Sequence, residues 1–356
     1  MVVLSFVFVN VIFGNIINKE LISLLSLTSY IAVALVLKIY FNRKFLLPLS
    51  MGALIILYTG LISHPGVISF QTSFSYLLLG FSIWHLASNG KLSKYSLRIL
   101  FILISIPFIY SFFIMGIRLD GGSTLFRMNR NTIPVIFFTL TCLISITEYI
   151  NGSKNPTIWP ACISLVLTIL SRSRAGLFVN TLYLVFVIII KLKHYYFTNL
   201  SFLKSHGGKR VFLYGLILFF VIIMIAALFF IYNNSRYASE GIRSNGRLDI
   251  YKEFLDNLTF KKILFGSNYG DYSSIGLHST FLTFFAYLGI FSIPIIIMFI
   301  FSIINFYQQK LFLLLGVLIL YTVYSTIETL SPFFIGDFLL IPLLMQGIMG
   351  AFMPSK

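Results

Sequence analysis

Acidic residues are scarce in this chain: ten Asp and Glu among 356 residues, and charged residues of both signs make up only 10%. Soluble domains carry roughly a quarter charged residues, so the polar surface that water requires is missing and a soluble fold is excluded. There are only two cysteines, Cys142 and Cys162, and both fall inside apolar runs. That leaves no disulfide framework and no cysteine-based metal site, and both read as small buried side chains. The chain has no P-loop, no nucleophile elbow and no Cys/His metal pattern. It also lacks an Asp-x-Asp pair, so a divalent cation held in that manner has no support. Asp249 and Glu253, four residues apart, read as solvated surface charges. Neither a metal nor a cofactor is expected.

What fills the chain instead is apolar: 58% hydrophobic and 17% aromatic, with Phe the commonest ring. Apolar runs of roughly 17–25 residues alternate with short polar breaks, as a bilayer core of about 30 Å demands. The runs predict about twelve transmembrane helices at 1–17, 21–40, 46–63, 70–88, 97–115, 132–150, 157–171, 174–193, 210–231, 278–303, 311–328 and 334–352. The opening Met1-Val2-Val3-Leu4 has no basic stretch or small-residue cleavage site, and reads as a retained first helix. The fold expected is an all-α polytopic membrane protein, one integral membrane domain over 1–356. The long outer loop at 232–277 lies within it.

Twenty-six Lys and Arg against ten acids give a formal charge of +16. In a soluble protein this points to nucleic acid; here topology and an anionic ligand compete to explain it, and nucleic acid is not an expected partner. With both termini cytoplasmic, the inner loops and helix ends receive Lys38, Arg43, Lys44, Lys91, Lys94, Arg98, Lys154, Lys191, Lys193, Lys204, Lys209, Arg210, Lys310 and Lys356. Glu148 is the only acid among them, so the positive-inside rule is met. The outer side receives Arg118, Arg127, Arg130, Arg172, Arg174, Arg236, Arg243 and Arg247, eight of the eleven arginines. Topology gives no reason for these. Arginine grips phosphate or carboxylate with a planar, bidentate fork, so an Arg-rich outer face implies a bound anion.

Three segments concentrate that chemistry. Ser171-Arg172-Ser173-Arg174-Ala175-Gly176 is squeezed between two apolar runs. Its arginines either snorkel to lipid phosphates or serve a ligand, and its small residues favour close helix approach. The outer loop carries Leu248, Tyr251, Phe254, Leu255 and Leu258 at helical spacing, with Asn245-Gly246 as a cap. This predicts an amphipathic helix on the outer membrane face with Arg247 in its first turn. His278-Ser279-Thr280-Phe281-Leu282 marks where the loop returns to the membrane. His278 beside an Arg-rich face is either a proton carrier or an interfacial anchor.

In this order the segments resemble the O-antigen polymerase and ligase superfamily. The likeness runs over about residues 120–300: Asn129-Arg130-Asn131, Ser173-Arg174-Ala175-Gly176, Gly246-Arg247 followed by Tyr251, Leu264-Phe265-Gly266, His278-Ser279-Thr280-Phe281-Leu282 and Leu288-Gly289-Ile290. The resemblance implies an enzyme of the bacterial inner membrane that transfers glycans from undecaprenyl diphosphate at the periplasmic face. It implies that Arg174 and Arg247, with Arg172 and Arg243, hold the diphosphate, and that His278 orients or deprotonates the attacking hydroxyl. Arg127 and Arg130 join the substrate-binding set on the same outer face. Expected partners are the undecaprenyl-diphosphate-linked glycan, membrane lipid, and a chain-length regulator and flippase of the same pathway.

Polymerase and ligase share the donor and differ in acceptor, another lipid-linked repeat unit or the lipid A core. Family ligases often carry a His-Asn pair at the loop end, whereas this chain has His278-Ser279, which favours the polymerase. A ligase or another polysaccharide polymerase is the alternative. A repeat-unit flippase is the alternative of another class, and it should carry charges in mid-membrane, where this chain has almost none.

Overall fold

The described residues are helical, with no strand beyond one isolated bridge between Leu125 and Met128. The computed structural model describes residues 80–87, 92–119, 124–126, 128–153, 156–199, 215, 247–267, 277–330 and 336–349. After a helical stretch at 80–87 come α1 (Lys94–Ile109), α2 (Thr132–Ile150), α3 (Trp159–Ser171), α4 (Arg174–Asn199), α5 (Arg247–Asp256), α6 (Phe260–Phe265) and α7 (Thr280–Leu288). They are followed by α8 (Ile293–Gln308), α9 (Phe312–Ile327) and α10 (Asp337–Met349). A π-helical turn, Tyr110–Ile114, extends α1, and a 3₁₀ turn, Gly289–Ser292, joins α7 to α8. Pro107 lies inside α1 and has no N–H to give, which disturbs the i→i−4 ladder just before the π turn.

Among the described residues four stretches are long and apolar enough to cross a membrane: Lys94–Ile114, Thr132–Ile150, Arg174–Lys193 and Thr280–Gln308. They mark the chain as membrane-embedded, and each falls on an expected span. The helices α3, α9 and α10 also fall on expected spans but are shorter. At 1.5 Å per residue, the thirteen residues of α3 cover roughly 20 Å, less than the hydrocarbon core. The expected spans 1–17, 21–40 and 46–63 lie outside the described residues. Most of 70–88 and nearly all of 210–231 do too.

The apolar faces sort by what they touch. In α1, Leu97, Leu100, Phe101, Ile104 and Phe108 are buried, while Ile99, Ile102, Leu103 and Ile106 are exposed. In α8, Phe299 and Phe306 point inward and Ile297, Ile300 and Phe301 outward. Such continuous exposed apolar faces are untenable in water and suit hydrocarbon. The central helix is α2, buried from Ile133 to Glu148 and packed against α1, α3, α4, α9 and α10. Two of its polar side chains bond locally or to a neighbour: Thr141 Oγ1 donates to the Phe137 carbonyl at 2.6 Å, and the Tyr183 hydroxyl of α4 donates to Ser145 Oγ at 2.7 Å. Between α3 and α4, Ser164 Oγ donates to Asn180 Oδ1 at 2.7 Å. Interhelical polar contacts of this kind help hold helices together where lipid gives no hydrophobic drive.

Three expectations need correction. Cys162 is exposed on α3, and only Cys142 is buried. Arg98 and Glu148, expected as topological charges at helix ends, form an ion pair at 2.6 Å with Glu148 buried. Thr157 donates both its N–H (2.8 Å) and its hydroxyl (2.8 Å) to that carboxylate, which binds α1, α2 and the start of α3 at one end. A buried carboxylate needs those partners, because an uncompensated one is costly. Finally, the expected apolar face of α5 divides. Ile250 and Phe254, with Tyr251 and Leu258, pack on Leu277, Ala286, Leu282 and Phe285, whereas Leu248 and Leu255 are exposed. The proposed cap, Asn245-Gly246, lies outside the described residues.

The loop helices are fixed onto the chain's return to the membrane by two glycines. Gly266 (φ 72°, ψ −177°) and Gly289 (φ 55°, ψ −134°) both take a positive-φ conformation that side-chain-bearing residues rarely adopt. A Cβ on Gly289 would stand 2.6 Å from the Ile263 carbonyl oxygen and 2.7 Å from Gly266 N. Backbone meets backbone there, and Ser267 N–H donates to the Ala286 carbonyl at 2.6 Å. Only glycine permits both the conformation and the approach.

Candidate active site

Five helix ends, the amino ends of α2, α4 and α7 and the carboxyl ends of α3 and α9, meet at one cavity. Arg172 closes α3 in the left-handed conformation (φ 56°, ψ 28°) with its N–H on the Ile169 carbonyl, and α4 begins two residues later. Ser173 caps α4: its Oγ accepts from Gly176 N–H at 3.2 Å and its carbonyl from Leu177 N–H at 2.9 Å. A side chain at position 176 would drive into the ring of Pro134, with Cγ 2.6 Å from the added carbon. The small residue thus lets α4 reach the first turn of α2.

At that turn two asparagines divide the work. Asn129 Oδ1 accepts the N–H of Asn131 and of Thr132, each at 2.9 Å, and the Thr132 hydroxyl at 3.0 Å. It thereby satisfies the amino end of α2 and leaves the Asn131 amide for longer contacts. Asn131 Oδ1 accepts from Ser173 Oγ at 3.0 Å, and Asn131 Nδ2 donates to Glu328 Oε1 at 3.0 Å.

Glu328 follows α9 and is 7% exposed. A buried carboxylate at a helix carboxyl end opposes the helix dipole, so its surroundings must supply positive charge or donors. The second oxygen, Oε2, lies 3.6 Å from His278 Nδ1. Thr280 Oγ1 donates to the Glu328 carbonyl at 3.1 Å and accepts from Leu330 N–H at 2.8 Å, tying α7 to the segment after α9.

The cavity, about 170 Å³, is lined by Arg130, Asn131, Arg172, Arg174, Ala175, His278 and Glu328. Three guanidinium groups face one carboxylate. The amino ends of α2, α4 and α7 stand against the carboxyl ends of α3 and α9, and with three guanidinium groups to one carboxylate an anion is the favoured occupant. Small-molecule pockets are usually ~300–1,000 Å³, so this one suits a charged headgroup rather than a whole glycan. Arg172 and His278 are two of four non-glycine residues with positive φ among the described residues. Backbone strain of this kind collects at functional sites.

Of the residues singled out in the sequence, Arg130, Arg172, Arg174 and His278 come together here. Arg247 opens α5, and Ile250, one turn on, shares a buried cluster with Leu277, the neighbour of His278. The Arg247 side chain, Arg127 and Arg243 lie outside the described residues. Among the described residues no group of three or more His, Cys, Asp or Glu is placed to hold a metal ion. Sequence reasoning missed Glu328 altogether and gave Asn131 no role of its own. The signal was there: an acid at a span end, in a chain with ten acids, is a functional candidate by default.

Comparison of the chain with protein-family models, with curated proteins and with solved structures yields no match.

Proposed function

We propose that the chain is a glycosyltransferase that uses a lipid-diphosphate-linked glycan as donor. Within that class we read it as an O-antigen polymerase, joining undecaprenyl-diphosphate-linked repeat units at the periplasmic face of the bacterial inner membrane. The observation that carries the reading is the convergence of Arg130, Arg172, Arg174 and His278 on one headgroup-sized cavity. The motif order that resembles the superfamily supports it further.

A diphosphate diester carries two negative charges; three arginines less one carboxylate leave two positive. His278 takes the proton from the acceptor sugar hydroxyl. The freed oxygen attacks the anomeric carbon of the donor glycan, and the bond from that carbon to the diphosphate breaks. Its electron pair leaves with undecaprenyl diphosphate, whose added negative charge the arginines stabilise. Proton transfer to a positioned base contributes roughly 10²–10⁴-fold.

The test is a deletion strain examined for lipopolysaccharide banding. Loss of the ladder with a single repeat unit retained is the expected result. An unchanged ladder overturns the reading, and loss of every repeat moves the chain to a ligase or a flippase.

A further inference from the structure

We infer that Glu328 is the positioning residue for His278, and that Ser173 and Asn131 tie this pair to the arginine-bearing turn; the inference rests on the transferase reading above. The reason is electrostatic. A histidine that accepts a proton becomes a cation, and the charged groups lining its cavity are Arg130, Arg172, Arg174 and Glu328. Three guanidinium groups share the cavity with the ring, and among the described residues Glu328 is the one carboxylate in its wall, placed to balance a positive charge gained there. Glu328 Oε2 sits 3.6 Å from Nδ1, which turns the other ring nitrogen, Nε2, to the substrate side as the base.

The carboxylate is fixed in turn. Asn131 Nδ2 holds Oε1 at 3.0 Å, Asn131 Oδ1 takes the Ser173 hydroxyl at 3.0 Å, and Ser173 caps the helix that starts with Arg174. A run of hydrogen bonds thus leads from Glu328 across α2 to the start of α4, with His278 at ion-pair distance from its near end. Glu328 touches neither donor nor acceptor in this scheme. It acts through His278.

The experiment uses the full chain in nanodiscs, with inorganic pyrophosphate as the binding probe and a lipid-linked repeat unit as the turnover substrate. In Glu328→Gln, which keeps the acceptor for Asn131 but not the charge, kcat falls about 10²–10⁴-fold while KM for the lipid-linked substrate stays within roughly threefold. Thermal stabilisation by pyrophosphate is retained or grows, since a negative charge has left the cavity. Glu328→Asp restores part of kcat, and Asn131→Ala loses less than Glu328→Gln. A merely structural Glu328 would lose pyrophosphate stabilisation and folding together, and that result overturns the assignment. Near-wild-type kcat in Glu328→Gln, with His278→Ala inactive, overturns it while leaving the transferase reading intact. A wild-type chain that neither polymerises nor responds to pyrophosphate removes both.

Discussion

Arg174 opens α4 at the cavity wall, where its value lies in shape as much as in charge. Lysine keeps the charge and loses the two-pronged grip, so Arg174→Lys is expected to abolish polymer formation while the protein still accumulates in membranes. Full activity in that variant would demote Arg174 to a lipid contact. Arg172 tests backbone and charge separately, because it sits at φ 56°. Arg172→Gly and Arg172→Val both remove the guanidinium. Thermal unfolding should find the valine variant less stable by about 1–2 kcal/mol, since a β-branched residue resists the left-handed conformation. The cationic half of this site was legible in the sequence, because arginines outside the cytoplasmic loops have no topological excuse. Glu328 was not, because orientation rules give acids little weight and its partner Asn131 lies 197 residues away. Distance along the chain hid the pair.

Among the elements, α2 is the axis: one end reaches the cavity and the other holds buried Glu148 paired with half-buried Arg98. Sixteen or so helical residues separate the two, roughly 24 Å. Arg98→Leu leaves the buried Glu148 carboxylate without its countercharge and should cost about 3–5 kcal/mol in thermal or denaturant unfolding. Adding Glu148→Gln should recover most of that loss, since glutamine still accepts from Thr157 and carries no charge. A double variant no better than the single would show that the pair's charge is not what matters. Spans over α1, α2 and α4 could be read from apolar length, and the break between α3 and α4 from the small and basic residues there. The faces of α5 could not. Its apolar arc is wide enough to serve two surroundings, and only the placement of Leu277 and Ala286 decides that Ile250 and Phe254 turn inward while Leu248 and Leu255 stay out.

For the whole molecule, the alternation expected from the sequence assigns the starts of α2, α4 and α7 and the ends of α3 and α9 to one side. These are the ends that gather at the cavity, while Arg98, Glu148 and Thr157 gather at the other. On the proposed reading the cavity side faces the periplasm, which fusions test. Alkaline phosphatase joined after Asn257 should be active and after Ser205 inactive; the reverse pattern would invert the protein and remove the cavity from the donor proposed for it.

The double use of Asn131 has a consequence for how such a protein can change its chemistry over generations. Its amide donates to Glu328 through one atom and accepts from Ser173 through the other, so truncating the side chain loosens both contacts at once. On the proposed transferase reading, selection for a different sugar would act on surfaces that surround the acceptor. In a directed-evolution experiment for a new repeat unit, changes would gather in the stretch 247–277 and leave positions 131, 173 and 328 untouched.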